Sequence, residues 1–246
     1  MKIVVEKGQR VYFTSDTHYN HKNICRGVSE WDGSRGTRDF NTLYKMNAVL
    51  IDSINQLVGE NDILIHLGDW SFGGIESIAD FRNQLVCKNI HLVLGNHDHH
   101  IANNKDNVQD LFSSVHQYCY LTIVEQAISK DLPAQKHRFI LSHFPIASWQ
   151  DMGQGVMHLH GHVHLPKGRR VGPGKMMDVG VDGNDLSPME VGKKISQTDL
   201  HIIDHCLVSY ATSFVFVYSA LRMPFQPSEN NYTTSILHVS RRRQCL

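Results

Sequence analysis

Cysteine is scarce and scattered in this 246-residue chain. Cys25, Cys87, Cys119, Cys206 and Cys245 are odd in number and form no C-x-x-C pair. That argues against a disulfide framework and against a thiolate zinc site, and fits a reducing cytoplasm. Net charge is lacking too. With 24 basic and 24 acidic residues, no overall field favours nucleic acid, although a local basic patch stays open. No apolar run reaches the roughly 20 residues that a bilayer crossing needs. Cys206 to Leu221 carries no formal charge but is broken by Ser209, Thr212, Ser213 and Ser219. The start, Met1 to Glu6, turns polar too soon for a signal peptide and reads as a strand. Repeats and low-complexity tracts are absent.

Histidine is abundant, at 17 residues, within an otherwise ordinary soluble composition. Five of the histidines fall in short islands: Asp16-Thr17-His18, Gly68-Asp69, Gly95-Asn96-His97-Asp98, Ser142-His143 and Gly161-His162-Val163-His164. Four islands follow strand-like apolar runs, namely Val11 to Phe13, Ile63 to Ile65, Ile90 to Leu94 and Phe139 to Leu141. The fifth follows the weaker run Val156 to Leu159. Ligands at strand ends converge on one crevice in open α/β sheets.

Ile3 to Val5 and Val11 to Phe13, flanking Lys7-Gly8-Gln9, predict an N-terminal hairpin. A helix follows, with Asp39 as N-cap, Phe40, Leu43, Met46, Leu50, Ile54 and Leu57 on one face, and Gly59 as its stop. A second helix from about Ile75 to Leu85 completes a βαβ rhythm with parallel strands. Short strands are expected at Tyr118 to Val124, Arg138 to Leu141, Met157 to His160 and Met177 to Val181. Residues 1–195 then make one domain, and 196–246 an extension ending in the solvated Arg241-Arg242-Arg243.

Two cations about 3.5–4 Å apart need a shared anion, for which Asp69 is the candidate. Asp16, His18 and His164 would complete one metal site; Asn96, His143 and His162 would complete the other. Imidazole, carboxylate and amide oxygen without sulfur suit Mn²⁺, with Fe, Zn²⁺ or Ni²⁺ as further candidates. Asp16 and His18 would share a side if the chain is extended; at a tight loop His162 and His164 could reach different metals. Each island alone is also what a turn, a cap or a strand end looks like. Five in order, each after an apolar run, favour a site.

D-x-H, G-D, G-N-H-D, a lone H and G-H-x-H, in this order over residues 10 to 185, resemble the calcineurin-like metallophosphoesterase superfamily. Phe13 to His18, His21 to Ile24 and Leu159 to His164 are similar to its small bacterial and phage members. The resemblance implies an α/β fold, a four-layer αββα sandwich of two mixed sheets flanked by helices. It also implies hydrolysis of phosphate esters by a metal-bridging hydroxide, with His97 stabilising phosphoryl oxygens or protonating the leaving group and Asp98 orienting His97. Asn20, His21 and Arg26 are weaker candidates for the substrate side. Arg35 and Arg38 are read as phosphate contacts or solvated loop charges, His99 and His100 as bystanders, and Trp149 as a core or lid aromatic or a base-stacking one. The expected substrate is a small phosphate ester, a nucleotide-derived phosphodiester first. A nuclease and a catalytically silent metal-binding scaffold are the alternatives.

Overall fold

The computed structural model describes residues 1–31, 36–126, 134–169, 171–172 and 174–190. All lie in the first of two compact units, Met1–Leu200. The expected boundary near residue 195, the extension with its Cys206 to Leu221 run and arginine tail, and Arg35 fall outside the described residues.

In chain order the elements are β1 (Lys2–Val5), β2 (Val11–Thr14), α1 (Leu43–Leu57), β3 (Ile63–His66), α2 (Gly74–Gln84) and β4 (Asn89–Val93). Then come α3 (His99–Ala102), β5 (Ser114–His116), β6 (Cys119–Glu125), β7 (Gln135–Leu141), β8 (Met157–His160), β9 (Met176–Asp178) and β10 (Met189–Glu190). One sheet runs β10-β2-β3-β4-β5, parallel except for the antiparallel edge strand β10. The other runs β1-β6-β7-β8-β9, with only the β6–β7 pair antiparallel. Two mixed sheets with flanking helices make this an α/β sandwich.

The expected N-terminal hairpin is not formed. β1 pairs with β6 in one sheet, while β2 pairs with β3 and β10 in the other. Burial explains the difference. Every residue of β2 is buried, as a central parallel strand requires, whereas β1 alternates exposed and buried along a sheet edge. The turn at Gly8 therefore carries the chain between layers.

Alternation along the strands sorts side chains into two cores. Phe13, Ile65, Leu121, Phe139 and Leu159 fill the space between the sheets, with the Phe13 and Phe139 rings 5.3 Å apart. Truncating Phe139 to alanine removes about 3–5 kcal/mol of packing. Tyr12, Leu64 and Ile90 face the other way, against Ile54 of α1 and Ile78 and Phe81 of α2. Among the described residues, the outer face of the second sheet is closed by the segment from Trp149 to Val156 packed on Ile140 and Met176. Trp149 is buried there, donating from Nε1 to the Val156 carbonyl at 2.8 Å, so it is a core aromatic and not a base-stacking one.

Helix α1 starts three residues later than expected. Thr42 is its N-cap, accepting the Lys45 amide at 3.3 Å, because the Phe40 carbonyl is already taken by the Gly27 amide and Asp39 pairs with Arg26. Met46, Leu50 and Ile54 form its buried face, and the helix ends at Val58, before Gly59. No helix among the described residues is long and apolar enough to cross a membrane.

Candidate metal centre

The five islands sit just past the carboxyl ends of β2, β3, β4, β7 and β8, and backbone bonds tie them together. The Asp16 amide donates to the Gly68 carbonyl at 3.0 Å, and the Gly161 amide to the His143 carbonyl at 2.9 Å. Close approach is what the glycines permit. A Cβ on Gly68, at φ +94°, would lie 2.8 Å from His143 Nδ1 as well as inside the Gly95 backbone; one on Gly161 would strike Ser15 and the Asp16 carboxylate.

The chain is not extended at the candidate ligands. Asp16, His18, Asp69, His162 and His164 have φ of 56°, 47°, 56°, 72° and 47°, a left-handed region costly for residues with a Cβ. Residues held in sparsely populated backbone regions cluster at active sites and ligand clamps. This conformation turns His162 and His164 to different groups. Asp16, His18 and His164 bring one donor atom each within 4.8 Å of one another, and so do Asp69, His143 and His162. Asn96 joins the second group, with Oδ1 3.0 Å from His143 Nε2. Asp69 Oδ2 is 3.5 Å from His18 Nε2 in the first group and 3.4 Å from His143 Nε2 in the second.

Proton positions decide what these distances mean. His143 Nδ1 donates to the Leu67 carbonyl at 2.7 Å, which leaves the Nε2 lone pair of the neutral ring facing Asn96 Oδ1 and Asp69 Oδ2. His164 Nδ1 donates to Asp182 Oδ2 at 2.6 Å, so its Nε2 faces His18 Nε2 at 3.2 Å and Asp16 Oδ1 at 3.7 Å. With the ring neutral, His143 Nε2 and Asn96 Oδ1 are two acceptors 3.0 Å apart, a spacing that a shared cation or a second proton on His143 relieves. Ligands at about 2.1 Å from a metal stand roughly 3.0–3.4 Å apart, close to the spacing seen. The residues fit two divalent ions.

Charge follows the same logic. Burial would raise the Asp69 carboxyl, but hydrogen bonding and charge from His143, then His18 and the His97 amide, hold it well below the usual range. Burial pushes Asp16 up to about 6 and keeps His18 neutral. His143 is raised because Asp69 outweighs its burial, and His164 because Asp182 and Asp16 do. A proton on either imidazole places positive charge beside these carboxylates.

Two residues that hold this centre escape sequence reasoning. Arg38 is buried, where a phosphate contact or a solvated loop charge was expected. It donates to the Thr17 and Asp16 carbonyls at 2.7 and 2.6 Å, and forks onto Asp182 at 2.8 and 3.0 Å. Asp182 passes that restraint to His164. Burial alone would raise the Asp182 carboxyl, yet His164 and Arg38 hold it well below the carboxylate range. Its position in the turn after β9 gives no motif to find it by. His66, buried at the end of β3 with Nδ1 on the Gly68 amide, is likewise reached by no motif.

Asp98 makes no hydrogen bond to the His97 ring among the described residues, unlike the orienting contact expected. Its carboxylate accepts three backbone amides, Asp69 at 2.8 Å, Trp70 at 2.9 Å and Gly95 at 2.8 Å, and so clamps the second island to the third. His97 stands at the open rim, its side chain 42% exposed and Nε2 4.0 Å from Asp69 Oδ2. His21 lies beside it, stacked on Phe72 at 3.6 Å, with burial lowering its pKa to about 4. Asn20 is engaged with Ser77 and Asn47, bracing the loop against α1 and α2. Arg26 is exposed and paired with Asp39.

Two clusters of nitrogen and oxygen donors on the carboxyl edge of a two-sheet sandwich define a metal-binding α/β protein with an open site. A sequence model of calcineurin-like phosphoesterases matches residues 9–178, and the chain belongs to that family. It is 32% identical over 91 residues to the uncharacterized protein MJ1445 of Methanocaldococcus jannaschii. That match covers 37% of this chain and 47% of the relative, so the chain spans about half the length of the curated relative it matches. It is also similar to the protein of unknown function AQ665 from Aquifex aeolicus, with a TM-score of 0.49 and 21% identity over 74% of this chain and 96% of that one.

Proposed function

We propose that the chain is a dinuclear metal-dependent phosphoesterase that hydrolyses phosphodiesters, nucleotide-derived ones first, in the cytoplasm. Asp16, His18 and His164 hold one ion; Asn96, His143 and His162 hold the other; Asp69 is shared. The observation that carries this reading is the pair of donor groups that meet at Asp69, whose Oδ2 lies 3.5 Å from His18 Nε2 in one and 3.4 Å from His143 Nε2 in the other. Two divalent ions, with Mn²⁺ favoured by the donor set, supply Lewis acidity toward phosphoryl oxygens and a nucleophilic water at neutral pH.

The chain's own side chains do the rest. His97, on the open side, donates from Nε2 to a phosphoryl oxygen or to the departing ester oxygen. Asp98 acts one step back, fixing the backbone of Asp69 and Gly95 so that Asp69 and His97 keep their spacing. Arg38 and Asp182 hold the first island and His164 in one frame.

Metal analysis of the purified protein, followed by hydrolysis of activated mono- and diesters, cyclic nucleotides and short oligonucleotides with Mn²⁺, Zn²⁺, Ni²⁺ and Mg²⁺, tests the reading. About two ions per chain with diester turnover is the expected result. Full metal loading without hydrolysis of any ester would mark a silent scaffold, and turnover confined to oligonucleotides with a steep salt dependence would mark a nuclease.

A further inference from the structure

A cavity of about 480 Å³ opens beside the first group of donors, with His164 and its partner Asp182 in its wall. The volume falls within the roughly 300–1,000 Å³ of a pocket for an organic ligand. Part of the wall is apolar. Phe40, Pro166 and Leu186 line it, and Phe40 and Leu186 are half-buried, seated on Ile24, Met46 and Leu50. Asp185 and Leu186 hold φ of 55° and 57°, a region costly for residues with a Cβ, and the Leu186 amide is pinned to the Val181 carbonyl at 2.9 Å. Backbone kept in such a region is found at ligand clamps.

Charge decides what the cavity refuses. The Arg38 guanidinium lies in its wall, but it is spent on Asp182 and on the carbonyls of Asp16 and Thr17. His164 Nδ1 is spent on the same carboxylate. Asp39 and Asp185 also line the cavity, whereas their partners Arg26 and Lys167 do not. A second phosphate entering here would meet carboxylates without a cation to hold it. Hydroxyl groups would meet acceptors, since Asp39 and Asp185 are exposed and surface ion pairs of this kind are weak. We propose that this cavity takes the uncharged organic group of the substrate, a nucleoside whose ring lies on Phe40 and Leu186 and whose sugar hydroxyls donate to Asp39 and Asp185. Resting on the phosphoesterase reading, this deepens the substrate class to esters that present a single phosphate to the metal centre and a nucleoside on the His164 side of it.

Thymidine carries no phosphate, so its binding reports on the cavity apart from the metal centre. It is titrated calorimetrically into the full chain and into two variants that change the cavity in opposite senses. Gly36→Trp fills it, since a Cβ on Gly36 meets nothing within 4 Å. Leu186→Gly empties one wall and suits the φ of 57°. One thymidine site is expected, lost in Gly36→Trp and weakened about tenfold or more in Leu186→Gly, as removal of apolar contact in a pocket predicts. Absence of thymidine binding, or equal affinity in all three proteins, overturns the proposal. With Mn²⁺ added, the ratio of kcat/KM for thymidine 5′-(4-nitrophenyl phosphate) to that for bis(4-nitrophenyl) phosphate should fall about tenfold in each variant. An equal fall on both substrates overturns the substrate role. If no protein hydrolyses any ester, the phosphoesterase reading falls, whereas the thymidine titration still decides whether the cavity binds a nucleoside.

Discussion

The carboxylate of Asp182 stands 2.6 Å from Nδ1 of His164 and accepts a hydrogen bond from it, which leaves Nε2 as the nitrogen that faces Asp16 and His18. A partner of this kind sets both the tautomer and the orientation of a ligand. Asp182→Ala frees the His164 ring and strips Arg38 of its bidentate acceptor. Affinity for one of two bound ions is expected to fall about 10- to 100-fold, the second ion being affected less. Metal-competition titrations resolve the two sites; equal weakening of both would show that Asp182 acts on the whole fold.

His97 predicts a different separation. Its side chain is at the rim, outside the two groups of donor atoms. His97→Ala should therefore leave metal content near that of the unaltered protein while turnover falls about 10²- to 10⁴-fold, the range for a lost proton donor. Parallel loss of metal and turnover, measured on one sample, would make His97 a ligand or a structural residue.

Asp98→Ala is expected to destabilise. Three amides, of Asp69, Trp70 and Gly95, lose their acceptor inside the protein. A buried donor left unpaired costs about 1–3 kcal/mol, so the loss is several kcal/mol, with a clear fall in Tm of the metal-free chain. A variant with unchanged Tm and reduced kcat alone would restore the view that Asp98 acts on the His97 ring.

These cases mark what is legible in the sequence. The islands are readable because a metal site needs particular donor atoms at strand ends, and the apolar runs before Asp69, Asn96 and His143 declare those ends. Their division into two groups is also expected from the motif order, but the left-handed φ at His162 and His164 that delivers it is not signalled by histidine. Arg38 and Asp182 are hidden for another reason. A buried ion pair spanning 144 residues is made by tertiary packing, and neither partner sits in a periodic pattern. The hairpin fails similarly: a glycine turn between two short apolar runs is compatible with a crossing between sheets, and only the full burial of Val11–Thr14 decides it.

His66 is buried at the end of β3, two residues before the second island. Thr17 donates its hydroxyl proton to the Trp70 carbonyl, so its oxygen accepts from His66 Nε2 at 2.9 Å. His66 Nδ1 in turn accepts the Gly68 amide at 3.2 Å. The neutral ring satisfies both partners, and a second proton would point Nδ1–H at another N–H. Burial lowers its pKa to about 3. The unfolded chain, with an ordinary histidine near 6.5, therefore binds the proton first. Stability is whole above about pH 6.5 and declines as pH falls toward 3, with a contribution on the order of 4 kcal/mol across that window. In chelator-treated protein, His66→Asn should cost stability at pH 7, and its stability should fall less steeply than that of the unaltered chain between pH 6.5 and 4, by about one proton. Denaturant unfolding at stepped pH reads both slopes. Parallel slopes would mean that His66 titrates normally in the folded chain, and that the Thr17–His66–Gly68 chain of hydrogen bonds does not hold its ring neutral.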